Sequence, residues 1–147
     1  MIWGLEKTLQ TIALLEDAYS RGETLPSLIV CPASLVYNWE CEIRRFAPKR
    51  RVWSLAGSST ARGELLQSVR ENPSFCQILI TSYDLLKRDI SLYQDIRFRF
   101  QIIDEAQYIK NSATQSARAV KAVSAQSRFA SYGGPGGKQA GRAVEHF

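Results

Sequence analysis

Two adjacent carboxylates, Asp104 and Glu105, follow directly after an apolar run that begins at Phe100. We interpret the run as a buried strand of a parallel sheet, because such strands are covered on both faces. The carboxyl ends of strands in an open α/β sheet form the edge at which ligands bind. A carboxylate there can hold Mg²⁺ on nucleotide phosphates, and its neighbour can orient or deprotonate a water. The plainer alternative is that the pair begins a loop or caps the next helix.

A second stretch near the start, Gly4-Leu-Glu-Lys7-Thr8, supplies the other half of a nucleotide site. The phosphate-binding loop has the pattern G-x-x-x-x-G-K-[ST], in which the lysine reaches phosphate and the hydroxyl binds Mg²⁺. Lys7 and Thr8 are in place, but Glu6 stands where the pattern has glycine. The first glycine and the preceding strand lie outside the sequence, so we expect the first strand of the sheet to be missing. Taken by itself, the stretch is better interpreted as an ordinary helix start.

The composition is that of one soluble globular domain, with 147 residues, 45% hydrophobic and 22% charged. No run approaches the roughly 20 apolar residues of a membrane helix, and the N-terminus does not have the pattern of a secretory signal. The three cysteines form neither a disulfide framework nor a metal-ligand motif. We therefore expect a cytoplasmic protein, or a nuclear one if its source is eukaryotic. The net charge of +5 is compatible with a nucleic-acid partner but changes the odds only modestly.

Strands and helices alternate along the chain with short connections, which predicts an α/β fold built from right-handed βαβ units. The expected fold is a three-layer parallel sheet flanked by helices. Predicted strands cover 27–31, 51–55, 77–81, 100–103 and 128–131. The first predicted helix ends before Gly22. Further predicted helices cover 34–46, with Ser34 as a candidate cap, 60–71, a short helix with Leu85 and Leu86 after Asp84, and 111–124. We expect one domain over 1–135 and a divergent, flexible tail over 136–147.

A basic cluster lies at the end of the second predicted helix and in the turn after it: Arg44, Arg45, Lys49, Arg50 and Arg51. It is interpreted equally well as a phosphate-contacting patch or as a solvated helix end and turn.

Four stretches then fall in a recognisable order: GLEKTLQTIALL at 4–15, LIVCPASLVYNW at 28–39, ILITSYD at 78–84 and IIDEAQYIKN at 102–111. Together they resemble the first motor lobe of the SWI/SNF family of DNA-translocating ATPases, within helicase superfamily two. The resemblance extends to about Pro135 and implies a RecA-like P-loop NTPase lobe. It also implies ATP and Mg²⁺ as cofactors and the backbone of duplex DNA as a partner.

The resemblance assigns roles to individual residues. Motif I, which binds ATP, contributes Gly4, Lys7, Thr8 and Gln10. Motif II, spelled Asp-Glu-Ala-Gln from Asp104, implies that Asp104 and Thr8 hold Mg²⁺ and that Glu105 positions the attacking water. The segments that contact the DNA backbone contribute Pro32, Ser34, Thr81 and Ser82. In this family ATP lies between two lobes, and the second lobe, which supplies arginines to the reaction, lies outside this sequence.

Two departures from the family pattern bear on activity. Glu6 removes the glycine that lets backbone N–H groups approach phosphate, and it adds a negative charge. One like-charge pair at about 4 Å and an effective dielectric near 20 costs about 4 kcal/mol, roughly a thousandfold in affinity. The segment at 128–135 resembles a damaged motif III, with Tyr-Gly-Gly-Pro at 132–135 in place of Ser-Gly-Thr-Pro. Coupling of nucleotide state to DNA movement depends on that motif in the family.

Three hypotheses about function follow. The chain is the ATP-binding lobe of a DNA-dependent ATPase, inactive on its own; or it is a nucleotide-defective module that binds DNA or protein; or it is a non-functional remnant. The sequence does not separate a fragment, a decayed copy and an assembly artefact.

Overall fold

A computed structural model of the chain describes residues 2–132 and 143–144. The helices of this part are α1 (Ile2–Ser20), α2 (Val36–Phe46), α3 (Ser59–Glu71), α4 (Tyr83–Asp89) and α5 (Gln115–Ala122). The strands are β1 (Ser27–Cys31), β2 (Val52–Ser54), β3 (Ile78–Ser82), β4 (Arg97–Ile103), β5 (Ser124–Ala130) and β6 (Ala143–Val144). Strands and helices alternate, as the sequence predicts.

One sheet holds all of these strands in the order β2-β3-β1-β4-β5-β6. The first five are parallel, and β6 pairs antiparallel with β5. In the register of the central strands, Cys31 is the partner of Ser82 and Val30 is the partner of Ile103. The carboxyl ends of β1, β3 and β4 therefore meet at one edge of the sheet.

The helices cover both faces of the sheet, so the three-layer prediction is confirmed. Successive residues of a strand point to opposite faces. Ile29 and Cys31 of β1 pack in one apolar core with α1 and α2. Leu28 and Val30 pack in a second core with α3, α4 and α5. Both cores are buried, which explains why β1 is a continuous apolar run and not an alternating one.

The last helix and the last parallel strand differ from the sequence prediction. The helix expected over 111–124 covers only Gln115–Ala122, because the Thr114 side chain caps it by accepting a hydrogen bond from the Ala117 N–H at 3.2 Å. The strand expected over 128–131 begins earlier, at Ser124. Its partner β4 also begins earlier than expected, and Arg97 pairs with Ser124. Pairing to a longer neighbour extends β5 across residues whose own pattern is helical.

The segment after β1 also departs from the prediction, because Ser34 caps no helix. A 3-10 turn over Ala33–Leu35 comes first, with Pro32 at its cap position and the Leu35 N–H donating to the Pro32 carbonyl at 2.9 Å. The α-helix then begins at Val36 without a side-chain cap. Ser34 lies in the middle of the turn and is exposed.

Two further expectations concern the ends of the chain. The glycine-rich stretch at 133–137, expected to be flexible, lies outside the described residues. Within the expected tail, Ala143 and Val144 pair with Ala130 and Phe129 and continue the sheet. Across residues 2–132 and 143–144, no helix has both the length and the apolar character that crossing a membrane requires.

Candidate nucleotide and DNA site

Asp104 lies where the topology of the sheet changes direction. The connection that leaves β1 runs to β2 on one side, whereas the connection that leaves β4 runs to β5 on the other. β1 and β4 are neighbours, and Asp104 follows the last residue of β4, with its N–H donating to the Val30 carbonyl at 2.8 Å. A crevice at such a switch point, outside the carboxyl ends of the strands, is where open α/β sheets bind ligands.

Three further hydrogen bonds hold Asp104. The indole Nε1 of Trp39 donates to Oδ2 at 2.9 Å, and the Glu105 N–H donates to Oδ1 at 3.0 Å. The Tyr83 hydroxyl donates to the main-chain carbonyl of Asp104 at 2.7 Å. Both carboxylate oxygens and the backbone of this residue are therefore fixed in place, and each carboxylate oxygen keeps a further lone pair for a ligand.

The electrostatic environment of Asp104 is mixed. Burial raises the pKa of its carboxyl group, and the hydrogen bond from Trp39 opposes that shift. The neighbouring Glu105 carboxylate raises the pKa further, whereas the Lys7 ammonium lowers it. Two carboxylates and one lysine thus act on each other at this edge, an arrangement that a divalent cation between oxygen ligands would stabilise.

Glu105 has a left-handed backbone, with φ 55° and ψ 52°. A non-glycine residue rarely adopts this conformation, and it costs free energy unless the surroundings enforce it. Here it turns the chain sharply from β4 into a 3-10 turn over Ala106–Ile109. The Glu105 carboxylate accepts a hydrogen bond from Gln107 Nε2 at 2.6 Å. The second carboxylate is therefore held at a strained corner beside the first.

Lys7 comes from α1 and reaches the same edge. Its Nζ donates to the main-chain carbonyl of Tyr132, at the end of the described part of the chain, and its charge acts on Asp104. Thr8 is the next residue of α1 and is half-buried, and Gln10 is exposed. The structure thus brings Lys7 and Asp104 together, as motifs I and II of the resemblance require.

The backbone around Lys7 does not form the expected loop. Gly4, Glu6 and Lys7 all lie inside α1, so the interpretation of this stretch as the end of a phosphate-binding loop is wrong for this structure. The alternative of an ordinary helix start also places the start too late, because α1 begins at Ile2. Glutamate, lysine and leucine are good helix formers, and Glu6 allows the helix to continue where a glycine would favour a break.

The side chains at this edge fit a magnesium ion and a phosphate group, whereas the backbone fits them only in part. Within the described residues, no three His, Cys, Asp or Glu side chains cluster as a closed metal site. Mg²⁺ on a nucleotide needs only one or two carboxylates, because phosphate and water supply its other ligands. Asp104, with the Thr8 hydroxyl and the Lys7 ammonium on α1, suits that role. The N–H groups of Glu6, Lys7 and Thr8 lie beyond the first turn of α1 and are engaged in helix hydrogen bonds, whereas those of the first turn have no acceptor within the helix.

The residues assigned to DNA contact converge on the same edge. Pro32 and Ser34 follow β1, and Thr81 and Ser82 end β3, the neighbouring strand. Ser34 is exposed and Pro32 is half-buried, but Thr81 is completely buried and Ser82 is 3% exposed. The Ser82 Oγ accepts a hydrogen bond from the Leu85 N–H at 3.2 Å and caps α4. Direct contact of the Thr81 side chain with DNA is therefore incompatible with this structure, and Ser34 is the accessible hydroxyl of the set.

Comparison with known proteins decides the family. Residues 3–137 match the SNF2-related domain. This chain belongs to the SNF2-related domain family. The family implies nucleotide use, and the RecA-like fold predicted from the sequence is confirmed.

Solved structures of the family have the same architecture. The SWI2/SNF2 ATPase core of Sulfolobus solfataricus in complex with dsDNA superimposes with a TM-score of 0.77 and 36% identity. The match covers 92% of this SNF2-related domain and 27% of that chain. A structure described as the ATPase core domain of the same organism gives a TM-score of 0.67 and 37% identity.

Curated relatives are much longer than this chain. The TATA-binding protein-associated factor MOT1 of Saccharomyces cerevisiae is 37% identical over 144 residues, which is 90% of this chain and 8% of that protein. An uncharacterized ATP-dependent helicase of Mycoplasma pneumoniae is 41% identical over 121 residues, which is 82% of this chain and 11% of that protein. The SNF2-related domain described here thus spans about a tenth of such relatives.

Two residues that contact Asp104 in this SNF2-related domain were not assigned to the site from sequence. Both lie in motif stretches, LIVCPASLVYNW at 28–39 and ILITSYD at 78–84, to which the resemblance assigns DNA contact and not contact with Asp104. A signal existed for both, because a buried indole N–H or phenol O–H usually finds a hydrogen-bond partner. The sequence gave no signal that the acceptor for both groups is Asp104.

The basic cluster of the sequence analysis lies at the opposite edge of the sheet. α2 starts beyond the carboxyl end of β1 and leads to the amino end of β2, so its last residues are far from Asp104 along the strands. Arg44 pairs with Glu40 at 3.3 Å, Arg50 pairs with Glu16 at 3.2 Å, and Arg51 donates to the Ser74 carbonyl. These intramolecular contacts favour the helix-end interpretation over a phosphate-contacting patch.

Proposed function

We propose that this chain is the ATP-binding lobe of a SNF2-like DNA-dependent ATPase, and that Lys7, Thr8, Asp104 and Glu105 hold ATP and Mg²⁺. One observation carries the proposal. Lys7 of α1 donates to the Tyr132 carbonyl, beyond the carboxyl end of β5, and Asp104 follows the neighbouring strand β4 at the switch point of the sheet, with the candidate DNA segments on the adjoining strands. A cationic and an anionic side chain thus lie at the edge where open α/β sheets bind ligands.

Each residue has a chemical task in this proposal. Asp104 and the Thr8 hydroxyl bind the metal, which when present neutralises charge on the phosphate oxygens. Lys7 contributes a second positive charge for the terminal phosphates, and Glu105 orients a water for in-line attack. Gly4 and Gln10 belong to the same nucleotide-binding segment.

The remaining parts of the proposal come from the relatives. A related ATPase core has been solved with dsDNA, which supports duplex DNA as the partner of the edge formed by Pro32, Ser34, Thr81 and Ser82. Hydroxyl and backbone groups at helix starts suit backbone contact without sequence readout. We further propose that a second ATPase lobe completes the site, and that the whole protein acts where DNA is, in the cytoplasm or a eukaryotic nucleus.

One observation favours a second candidate function. The helical path of residues 6–8 commits to helix hydrogen bonds the backbone N–H groups that a phosphate-binding loop would offer. A chain that keeps this helix would be a module that binds DNA or a protein without productive ATP binding.

Calorimetric titration of ATP with Mg²⁺ tests the two functions. We expect saturable binding by the wild type, and at least tenfold weaker binding by Lys7→Ala, because the variant loses a charge at the phosphates. Lys49→Ala, an exposed lysine at the far edge of the sheet, is the matched control and should bind as the wild type does.

The Glu6→Gly variant distinguishes a lobe whose loop conformation blocks the nucleotide from a chain that cannot bind ATP. If the wild type does not bind and Glu6→Gly does, the lobe is intact and only the loop conformation blocks the nucleotide. If neither variant binds although circular dichroism shows folded protein, ATP binding is excluded for this chain and the module is supported.

A further inference from the structure

Both candidate DNA segments are connected to the same residue. Trp39 lies in the first turns of α2, immediately after the turn that carries Pro32 and Ser34. Tyr83 opens α4 immediately after Ser82. The Trp39 indole donates to the Asp104 carboxylate at 2.9 Å, and the Tyr83 hydroxyl donates to the Asp104 carbonyl at 2.7 Å. Each segment thus contributes one hydrogen bond to the proposed metal ligand.

These connections are short and tightly packed. Trp39 is 6% exposed and packs in the core between α1, α2 and the sheet. Tyr83 is 5% exposed and stacks on Tyr108, with ring centroids 5.6 Å apart and planes 10° apart. A displacement of either DNA segment therefore has to move the donor atom. Hydrogen bonds weaken steeply once their geometry is lost, so such a displacement would release or tighten Asp104.

We propose that Trp39 and Tyr83 are positioning residues that couple the DNA-binding edge to the orientation of Asp104. The inference rests on the proposed function, because it takes Asp104 as the metal ligand and the β1 and β3 ends as the DNA contacts. Trp39 sets the orientation of the carboxylate, and Tyr83 sets the position of its backbone. When DNA fixes the two segments, the two donors hold Asp104 in the geometry that binds the metal.

Linkage makes the coupling reciprocal. If duplex DNA tightens the binding of ATP and Mg²⁺, the nucleotide tightens the binding of DNA by the same factor. Because the coupling depends on only two side-chain hydrogen bonds, we expect each ligand to change the affinity for the other roughly 5- to 10-fold, at the lower end of the range found for linked sites. A purely structural role would satisfy the indole and phenol groups without any such linkage.

The first test measures the affinity for ATP and Mg²⁺ by calorimetry with and without a saturating DNA duplex. We expect DNA to strengthen binding roughly 5- to 10-fold in the wild type and to have almost no effect in Trp39→Phe or Tyr83→Phe. Trp53→Phe, which changes an exposed ring that stacks on Phe75 on the edge strand β2, should keep the wild-type ratio. An undiminished ratio in both positioning variants would overturn the proposal.

A second test needs no nucleotide, and its measurement is made on the wild-type chain. The indole N–H resonance of Trp39, assigned by its absence in Trp39→Phe, is followed in ¹H–¹⁵N spectra of the wild-type chain. Duplex DNA alone, and Mg²⁺ alone, should each shift this resonance more than that of Trp53. A Trp39 resonance unchanged at saturating DNA excludes the coupling.

The two tests separate failure of the coupling from failure of the proposed function. If the chain does not bind ATP while DNA still moves the Trp39 resonance, nucleotide binding fails and the connection from DNA to Asp104 stands. If ATP binds and DNA moves neither the affinity nor the resonance, the proposed nucleotide site stands and the coupling is wrong. If no duplex binds at low salt, the DNA part of the function and the coupling fall together.

Discussion

At the residue scale, the reactive groups of this chain are distinguished by what surrounds them. Cys31 and Cys76 are buried in the two cores, and Cys41 is exposed on α2. Burial raises the pKa of the Cys31 thiol to about 12, with a smaller contribution from the Asp104 carboxylate, and burial also raises that of Cys76 to about 12. Because the thiolate is the reactive form, exposure and pKa together decide which cysteine reacts.

We therefore predict that a disulfide reagent at pH 8 modifies one thiol of the folded chain, that of Cys41. The other two should react only after unfolding, or slowly as pH approaches their raised pKa values. Thiol counting before and after addition of denaturant measures this, with Cys41→Ser as the control that removes the fast reaction. Rapid modification of Cys41→Ser in its folded state would contradict the burial of the other two.

Glu105 allows a second prediction at this scale, because its backbone is left-handed. Glycine adopts this conformation without the steric cost that a side chain brings, which is about 1 kcal/mol or more. Glu105→Gly should therefore be more stable than Glu105→Ala by about 1 kcal/mol in denaturant unfolding. Glu64 lies in the helical interior of α3 and is the matched control, since glycine there should be less stable than alanine by a similar amount. The same sign at both positions would contradict a left-handed Glu105.

At the element scale, the conformation of α1 determines whether motif I can bind phosphate. The helix runs through Gly4, Glu6 and Lys7, and it packs on the sheet through Ile12, Leu15 and Tyr19. Its inner half is held by tertiary contacts, whereas its first turns depend mainly on helix propensity. The helical conformation of motif I is therefore favoured by only a few tenths to about 1 kcal/mol per residue, so a substitution or a ligand can change it.

Replacing Glu6 with glycine should weaken the first turns of α1 by about 1 kcal/mol. Hydrogen exchange should then speed up severalfold at the amides of 6–10 and stay unchanged near Leu15. Gly22, which follows the helix with φ 98°, offers a control, because Gly22→Ala should affect only the helix end. Equal protection of 6–10 in wild type and Glu6→Gly would mean that contacts, and not propensity, hold this stretch helical.

Elements on the other face are joined by one buried ion pair. Arg62 of α3 donates to Asp89 of α4 through Nε at 2.7 Å and Nη2 at 3.0 Å, and Nη1 donates to the Gly57 carbonyl. Asp89 is 3% exposed. The two helices are therefore held in register by charge-assisted bonds that a single substitution can remove.

Asp89→Asn should destabilise the chain by roughly 3–5 kcal/mol, because it leaves a buried guanidinium without its counter-charge. Asp17→Asn, which breaks the exposed pair of Asp17 with Arg21 on α1, should cost at most about 0.5 kcal/mol. Thermal and denaturant unfolding of both variants measure the difference. A similarly small loss of stability in both variants would contradict a large contribution of the buried pair to stability.

At the scale of the whole molecule, the two edges of the sheet have different tasks. The carboxyl edge carries Lys7, Asp104 and both candidate DNA segments. The amino edge carries the end of α2 with the basic cluster, whose arginines are mostly engaged within the chain. The overall charge of +5 therefore aids attraction of DNA generally, while the place of contact is set by the strand ends.

Duplex binding should consequently depend on salt and on one edge only. We predict that the affinity falls as salt rises, because counterions are released on binding. Ser34→Glu, which places a carboxylate on the exposed turn after β1, should weaken binding about tenfold or more, equivalent to about 1.4 kcal/mol. Ser91→Glu, exposed near the amino edge, should leave the affinity within about twofold. Filter binding over a salt series distinguishes them, and equal losses in the two variants would refute an edge-specific contact.

Much of the molecule could be predicted from the sequence. Apolar runs identified the central strands β1, β3 and β4, since a strand buried on both faces needs consecutive apolar residues. The polar residues that end β1, β3 and β4 identified the ligand-binding edge, because parallel strands must all end at the same side. The resemblance to the SWI/SNF family also assigned Lys7 and Asp104 to one site.

The tertiary structure decided the rest, and each case has a physical reason. Pairing with β4 drew Ser124 out of the predicted helix and residues 125–127 out of the predicted connection into β5, because ladder hydrogen bonds outweigh weak local propensity. The helical path of Gly4–Lys7 extends a helix whose inner half is fixed by packing of Ile12 and Leu15 on the sheet. The bonds from Trp39 and Tyr83 to Asp104 join residues far apart in the chain. Local pattern shows that such a group needs a partner, but only the packing of helix against sheet determines which atom that partner is.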